Sequence, residues 1–466
     1  MPPAFFQAAK TILIQNVAVA DMNKTKTYLS IAVILFAALA TAFLGGSTGA
    51  STNVEKGMII DFGDYDTAWT SVDLEEYPDA LSSLEYACTM KKFELIMSGG
   101  VVSSINGLPG SPSDGTWSLW VVQKGKLEWN KLDSDPASVT VSEYSAVAWA
   151  LCAPGGKPSV SGVDQTGVSY WGYRDISRVV TLAPSVTEMV CAVGGSNMII
   201  GTDLYSNYPD SIAKGKETGK IKVTGGYTNP NYETILKMDP DIVICDGSQA
   251  SHRIIAEKLR NVGKNAVVLY SGEDLDTLYK NINITGMSIG YYEGKKIVID
   301  QIRNGINNVV SGICDPGMPV PDMMFSLSAV KSPWVAGGST YIDDIAETLS
   351  GVNVFKGLNG WSMVNSEMII KASPDIIIVV SEGSHATEED YLRMMGQISE
   401  GWDYVGAEIY MICGSAADLV SRPGPRLAQV TEIIALIMYD PDKIPHWIGD
   451  DYADYLTITN KLGFNK

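Results

Sequence analysis

A chain of 466 residues is too long for one ordinary domain, and two or three are expected. Its 45% apolar content and 45 glycines fit folded α/β material and exclude a disordered chain. A net charge of −19 excludes a nucleic-acid partner, which requires a basic surface.

Residues 28–44, YLSIAVILFAALATAFL, are an uncharged, mostly apolar run behind Lys24 and Lys26, with GGSTGAS after it. A charged start, an apolar run and small residues describe a secretory signal peptide or a membrane anchor. Residues 1–27 are then cytoplasmic, or the first 21 precede a true start at Met22, and the rest of the chain is extracytoplasmic. No cysteine follows the run, which removes lipid attachment of the bacterial lipoprotein kind.

Residues 57–153 read as a small α+β domain. GMIIDFG is strand-like, YPDALSSLEYACTMKK is a helix with Asp79 near its start, and VVSSI, WSLWVVQ and AVAWALC are strands separated by Gly/Pro turns. The stretches GGVVSSINGLPG, TWSLWVV and AVAWALC resemble the β-grasp-like domain that forms the smaller lobe of transcobalamin-type proteins. The resemblance implies a binding or adhesion module, one that touches a corrinoid. A spacer with its aromatics in the core is the competing reading. The six cysteines contain no C-x-x-C pair, which excludes a thiolate metal knuckle, and several sit in apolar runs as buried thiols do. An oxidising compartment leaves open a Cys88–Cys152 bridge inside this domain. Residues 154–175, rich in Gly, Pro and Ser, read as a linker.

A first lobe is expected over 177–274. It opens with a strand, Val179 to Leu182, then a helix whose Ser185 and Glu188 have capping-box spacing. Next come MIIGTDL, YSNYP and ETILKMDPDIVI (233–244). Residues 367–378, EMIIKASPDIII, repeat that last stretch 134 residues later, and both fit E-x-I-[LI]-K-x-x-P-D-I-[VI]-I. Each copy predicts a short helix stopped by Pro240 or Pro374, feeding a strand without alternation, as in an inner parallel strand. Two copies imply two similar α/β lobes with a ligand cleft between them. Residues 275–313 contain no proline and carry apolar residues at helical spacing, which predicts one long connecting helix and a stiff hinge. The second lobe spans 314–440 and closes on GPRLAQVTEIIALIMYD, read as amphipathic; 441–466 read as an acidic, solvated tail.

From about 177 to 440 the order of RVVTLAPSVTEMV, YSNYP, the two E…PD-I units and SRPGPR resembles the helical-backbone class of ABC-transporter substrate-binding proteins. Those proteins take cobalamin, siderophores or haem, and the pocket here is most similar to the cobalamin binder. The resemblance implies ligand contacts at Tyr205, Tyr227, Trp334 and Trp361, with Asp418 and Arg422 meeting an amide-bearing corrinoid rim. It implies permease docking through Glu233 and Glu367, one from each lobe. Tyr227 and Trp361 each precede their glutamate by six residues, so each lobe offers an aromatic face, as a flat corrin requires. One departure is Asp246, where the cobalamin binder has an aromatic.

The expected protein is therefore an extracytoplasmic receptor, secreted or anchored by residues 28–44, that captures a corrinoid and delivers it to an ABC permease. No catalysis, metal or cofactor is expected, the corrinoid being the transported ligand, and the free protein is expected to be monomeric. With three histidines, His252, His385 and His446, little is available for an imidazole-built metal site. No G-x-x-x-x-G-K-[ST] loop provides for ATP. An iron-siderophore or haem receptor of the same class, an enzyme on an α/β cleft, and a surface adhesion protein are the alternatives.

Overall fold

The computed structural model describes residues 57–462 apart from 64–66, 112–114, 124–128, 159–160, 172–175, 272–273, 315–316, 318–320, 382–386 and 403–405. The signal or anchor segment 28–44 lies outside the described residues. No helix of the described residues is long and apolar enough to cross a membrane. Two compact units form, one from residues up to Ser271 together with Asp276–Gln301, the other from Ile302 onward.

The first unit begins with β1 (Gly57–Asp61), β2 (Thr67–Ser71), α1 (Ala80–Lys91), β3 (Leu95–Ser98), β4 (Val101–Ile105), β5 (Leu108–Pro109), β6 (Thr116–Gln123), β7 (Trp129–Leu132) and β8 (Tyr144–Cys152). Strands order as β2-β1-β8-β6-β7, with β1 parallel to β8 and the other neighbours antiparallel. Asp79 caps α1 by accepting from the Leu81 and Ser82 amides at 3.0 and 2.8 Å, which satisfies two orphan donors of the first turn. The helix buries Leu84, Ala87 and Cys88 against Ile60, Trp117, Val121 and Trp149. Cys88 and Cys152 are both free thiols, so the bridge left open by the sequence is not formed. Cys88 fills the core as a small apolar group.

Residues 154–175 are more than a linker. They contain a hairpin, β9 (Ser161–Val163) and β10 (Ser169–Trp171), whose turn is fastened to the lobe that follows. The buried Asp164 carboxylate accepts from the Thr166 and Val168 amides through one oxygen, at 2.9 and 3.1 Å. Its other oxygen accepts from the Val268 amide at 2.8 Å and pairs with Arg260.

That lobe comprises β11 (Val179–Val180), α2 (Pro184–Val190), β12 (Ile199–Thr202), α3 (Asp210–Glu217), β13 (Lys222–Val223), β14 (Gly225–Gly226), β15 (Asn229–Pro230), α4 (Tyr232–Lys237), β16 (Ile242–Asp246), α5 (Ala250–Asn261) and β17 (Asn265–Leu269). Its parallel sheet runs β13-β12-β11-β16-β17, and every residue of β16 is buried. β17 is the last strand of this sheet, and the Asp164 turn takes up the amide and the carbonyl of its Val268. The Gln165 amide donates to the Val268 carbonyl at 3.1 Å, beside the Val268-to-Asp164 bond. Covering an edge in this way blocks intermolecular strand pairing. The capping box is also corrected: Ala183 is the cap and Pro184 the first helical residue, where its missing N–H costs nothing.

The expected single connecting helix is two helices, α6 (Leu275–Ser288) and α7 (Tyr292–Ile313). Gly290, at φ +79°, ends α6: its amide bonds Met287 O at 3.3 Å and the Tyr291 amide bonds Gly286 O at 2.8 Å. That is a Schellman termination, which requires the left-handed conformation glycine supplies.

The second unit holds β18 (Asp322–Ser326), β19 (Trp334–Ala336), α8 (Tyr341–Thr348), β20 (Val352–Asn353), β21 (Trp361–Met363), α9 (Ser366–Ala372), β22 (Ile376–Val380), α10 (Glu388–Trp402), β23 (Glu408–Ile412), α11 (Gly414–Val420), α12 (Leu427–Tyr439) and β24 (Trp447–Ile448). Its sheet runs β21-β19-β18-β22-β23-β24, with β22, buried throughout, in the place β16 holds in the first lobe. Helix α12 is not one-sided: Leu427 to Met438 are all buried. The acidic tail is not a solvated end: β24 adds a parallel strand beside β23, and Leu456 is buried. The buried Glu432 carboxylate of α12 accepts the Ile458 and Thr459 amides at 2.7 and 2.8 Å, which pins the tail.

The aspartate of each Pro-Asp pair has a structural task. Asp241 accepts the Ser177 and Arg178 amides at 2.9 and 3.1 Å, at the entry to β11. Asp375 accepts the Asp322 amide at 3.0 Å, at the start of β18. Each carboxylate thus ties its own strand to the first strand of its lobe. Asp241→Ala is expected to cost about 1 kcal/mol of stability, since two amides lose their acceptor, and thermal unfolding measures it.

Candidate functional site

The repeated unit has the same local construction in both lobes. Asn231 caps α4 by accepting from the Thr234 amide at 2.9 Å, and Asn365 caps α9 by accepting from the Met368 amide at 2.9 Å. Glu233 and Glu367 are each the second residue of their helix, and both are exposed. A carboxylate there is favoured by the partial positive charge of the helix start. Directly before each proline stands a left-handed residue, Asp239 at φ +50° and Ser373 at φ +47°.

In the first lobe, Tyr205 and Tyr227 lie on neighbouring loops joined by the Leu204 amide, which donates to the Gly225 carbonyl at 2.9 Å. Tyr205 is half-buried, and burial, then the nearby Asp203 carboxylate, raises its phenol pKa. Tyr227 is 4% exposed and packs edge-on against His252, ring centroids 5.6 Å apart. The His252 Nε2–H donates to the Tyr227 carbonyl. Complete burial, and then the Arg253 charge, hold the imidazole pKa well below its usual range, so the ring is neutral. Asp246, at the end of β16, is buried and accepts from the Ser248 amide at 2.8 Å, which sets the turn leaving the strand. Gln165 of the hairpin reaches this turn: its Nε2 donates to Gly247 O at 2.9 Å and its Oε1 accepts from the Ser271 amide. The end of the Gln165 side chain occupies the space over Gly247, so a side chain there would displace it.

In the second unit, Trp334 and Trp361 lie on the antiparallel strands β19 and β21, with Ala336 opposite Trp361. Both rings are half-buried. Trp361 packs edge-on against Phe325 at 5.9 Å and tilted against Tyr341 at 6.5 Å. Tyr341, 1% exposed, donates its hydroxyl to the Val420 carbonyl at 2.5 Å. Val420 ends α11, the helix that carries Asp418 and leads into Arg422, and those two pair at 2.6 Å. Tyr341 therefore joins the tryptophan to the ion pair. Asn353 steadies the strand from behind, donating to Ala336 O at 3.1 Å and to Asp343 at 2.9 Å.

The sequence reading missed Asn231, Asn365, Asp203, His252 and Tyr341. The asparagines carried a signal, standing two residues before each glutamate in N-x-E. Asp203 turns the chain locally, bonding the amides two and three residues on, whereas His252 and Tyr341 act through long-range contacts that no local pattern marks. Among the described residues no group of three His, Cys, Asp or Glu is placed to hold a metal ion. Burial pushes the Cys88 thiol up to about 11 and those of Cys152, Cys191 and Cys413 up to about 12, so these are not thiolate nucleophiles at neutral pH.

Residues 179–397 match the model of the family described as periplasmic binding protein. This part of the chain, just under half of it, is similar to that family. Among curated relatives, the ABC transporter substrate-binding lipoprotein YvrC of Bacillus subtilis is 24% identical over 276 residues, 58% of this chain and 82% of that protein. The cobalamin-binding protein of Halobacterium salinarum is 19% identical over 258 residues, 54% and 66% of the two chains. A possible iron-binding periplasmic solute-binding protein of Staphylococcus epidermidis aligns in structure at 25% identity and TM-score 0.47, covering 55% of this chain and 95% of that one.

Proposed function

We propose that the protein is the extracytoplasmic receptor of an ABC importer, that its ligand is a corrinoid, and that it hands this ligand to the permease. The observation that carries the ligand class is the grouping of Trp361, Tyr341 and the Asp418–Arg422 pair in one lobe. An aromatic surface suits the flat apolar face of a corrin, and an adjoining acceptor–donor pair suits its amide rim. The name of the Halobacterium relative supports the same class. Tyr205 and Tyr227 are the corresponding aromatics of the other lobe, with Tyr205 offering the more accessible ring.

Delivery rests on Glu233 and Glu367, exposed acids at the same register of two identically capped helices. Fixed charges of this kind steer and orient docking without taking part in ligand binding. The double variant Glu233→Ala with Glu367→Ala is expected to bind cyanocobalamin with unchanged affinity while cellular corrinoid uptake falls at least about tenfold, the scale of losing two interfacial charges. Unchanged uptake in that variant would contradict the docking assignment.

A further inference from the structure

The strand β12 ends in a buried polar cluster that serves no hydrogen-bond ladder. Thr181, Thr187, Thr202, Asp203 and Ser206 are all 0% exposed. Thr181 Oγ1 lies 2.5 Å from Thr187 Oγ1 and donates to Thr202 Oγ1 at 2.7 Å. Thr187 Oγ1 lies 2.8 Å from Ser206 Oγ, and the Ser206 hydroxyl donates to the Asp203 carboxylate. The other Asp203 oxygen accepts the Tyr205 and Ser206 amides at 2.7 and 3.1 Å. The carboxylate thus accepts from the turn that carries Tyr205 and, at 3.3 Å, from the Thr202 hydroxyl. Burying a carboxylate is costly unless donors surround it, and a neutral hydrophobic turn would avoid that cost. What the carboxylate adds is geometry: two adjacent amides on one oxygen fix the backbone direction at Tyr205, and the hydroxyl chain fixes the carboxylate.

We infer that Asp203 is a positioning residue for ligand binding, acting through Tyr205 with Ser206 as its anchor. The inference rests on the proposed role of Tyr205 as a ligand contact. It makes the affinity of the first lobe depend on a side chain that touches no ligand.

A double-mutant cycle on the full chain, titrated with cyanocobalamin, tests it. Tyr205→Ala is expected to weaken binding about tenfold, as loss of an aromatic contact does. Asp203→Asn is expected to weaken it about fivefold in the wild-type background and less than about twofold in the Tyr205→Ala background. Ser206→Ala, which keeps the turn backbone but removes the anchor, follows the same pattern and covers the case in which Asp203→Asn does not fold. Equal losses in both backgrounds, or no loss from either variant, would overturn the inference. A ligand-free readout separates it from the binding assignment: with fluorotyrosine incorporated, the resonance that disappears in Tyr205→Phe is expected to shift or broaden in Asp203→Asn. If that resonance moves while Tyr205→Ala binds normally, the contact role of Tyr205 is wrong. If it stays in place, Asp203 does not position the ring.

Discussion

Trp361→Ala is expected to weaken cyanocobalamin binding by about 2 kcal/mol or more, roughly thirtyfold, the range of a buried aromatic anchor. The ring stands half-buried on β21 with its inner side against Phe325 and Tyr341, so its conformation is already set before any ligand arrives. A preset ring loses little freedom on binding, and the contact it makes counts almost in full. Trp361→Phe keeps an aromatic face at the same place and is expected to recover most of the affinity. Calorimetric titration of the three proteins checks both statements. Equal affinity of Trp361→Ala and wild type would remove this tryptophan from the binding surface.

The second large effect concerns stability. Asp164→Ala is expected to destabilise the first unit by about 3 kcal/mol, because it strips a buried carboxylate from Arg260 and from three backbone amides at once. The loss should be local before it is global. The Val268 amide is expected to lose hydrogen-exchange protection, since its acceptor is gone, while β16 amides keep theirs. Protection at Val268 equal to wild type would show that the hairpin holds the β17 edge without its carboxylate.

Much of this architecture was legible in the residues, and for identifiable reasons. The runs DIVIC and DIIIVV lack alternation because both faces of β16 and β22 are buried, and apolar composition alone reports that. The 134-residue repeat exposed the two lobes because each needs the same short helix, stop and inner strand. Composition misled where long-range bonds decide. Gly, Pro and Ser in 154–175 describe a flexible chain locally, but Asp164 and Gln165 find partners about a hundred residues away. The acids after Pro441 outweigh Trp447 and Ile448 in any local window, and those two residues still complete a strand pairing with β23. Gly290 was readable as a break but was outvoted by the apolar spacing on either side. Within the candidate site, Tyr227 and Trp361 were legible because both stand six residues before the repeat. The site's supports His252 and Tyr341 were not, since each works by a hydrogen bond to a distant backbone group, and Asp203 was passed over although it bonds the amides two and three residues on.

The most direct test of the account is a titration of the purified protein with cyanocobalamin and cobinamide, with ferric siderophores and haem as competitors, followed by absorbance and calorimetry. Saturable binding of at least one corrinoid is expected, undiminished by the iron chelates and weakened by Trp361→Ala. Binding of haem or a siderophore with no response to either corrinoid would contradict it.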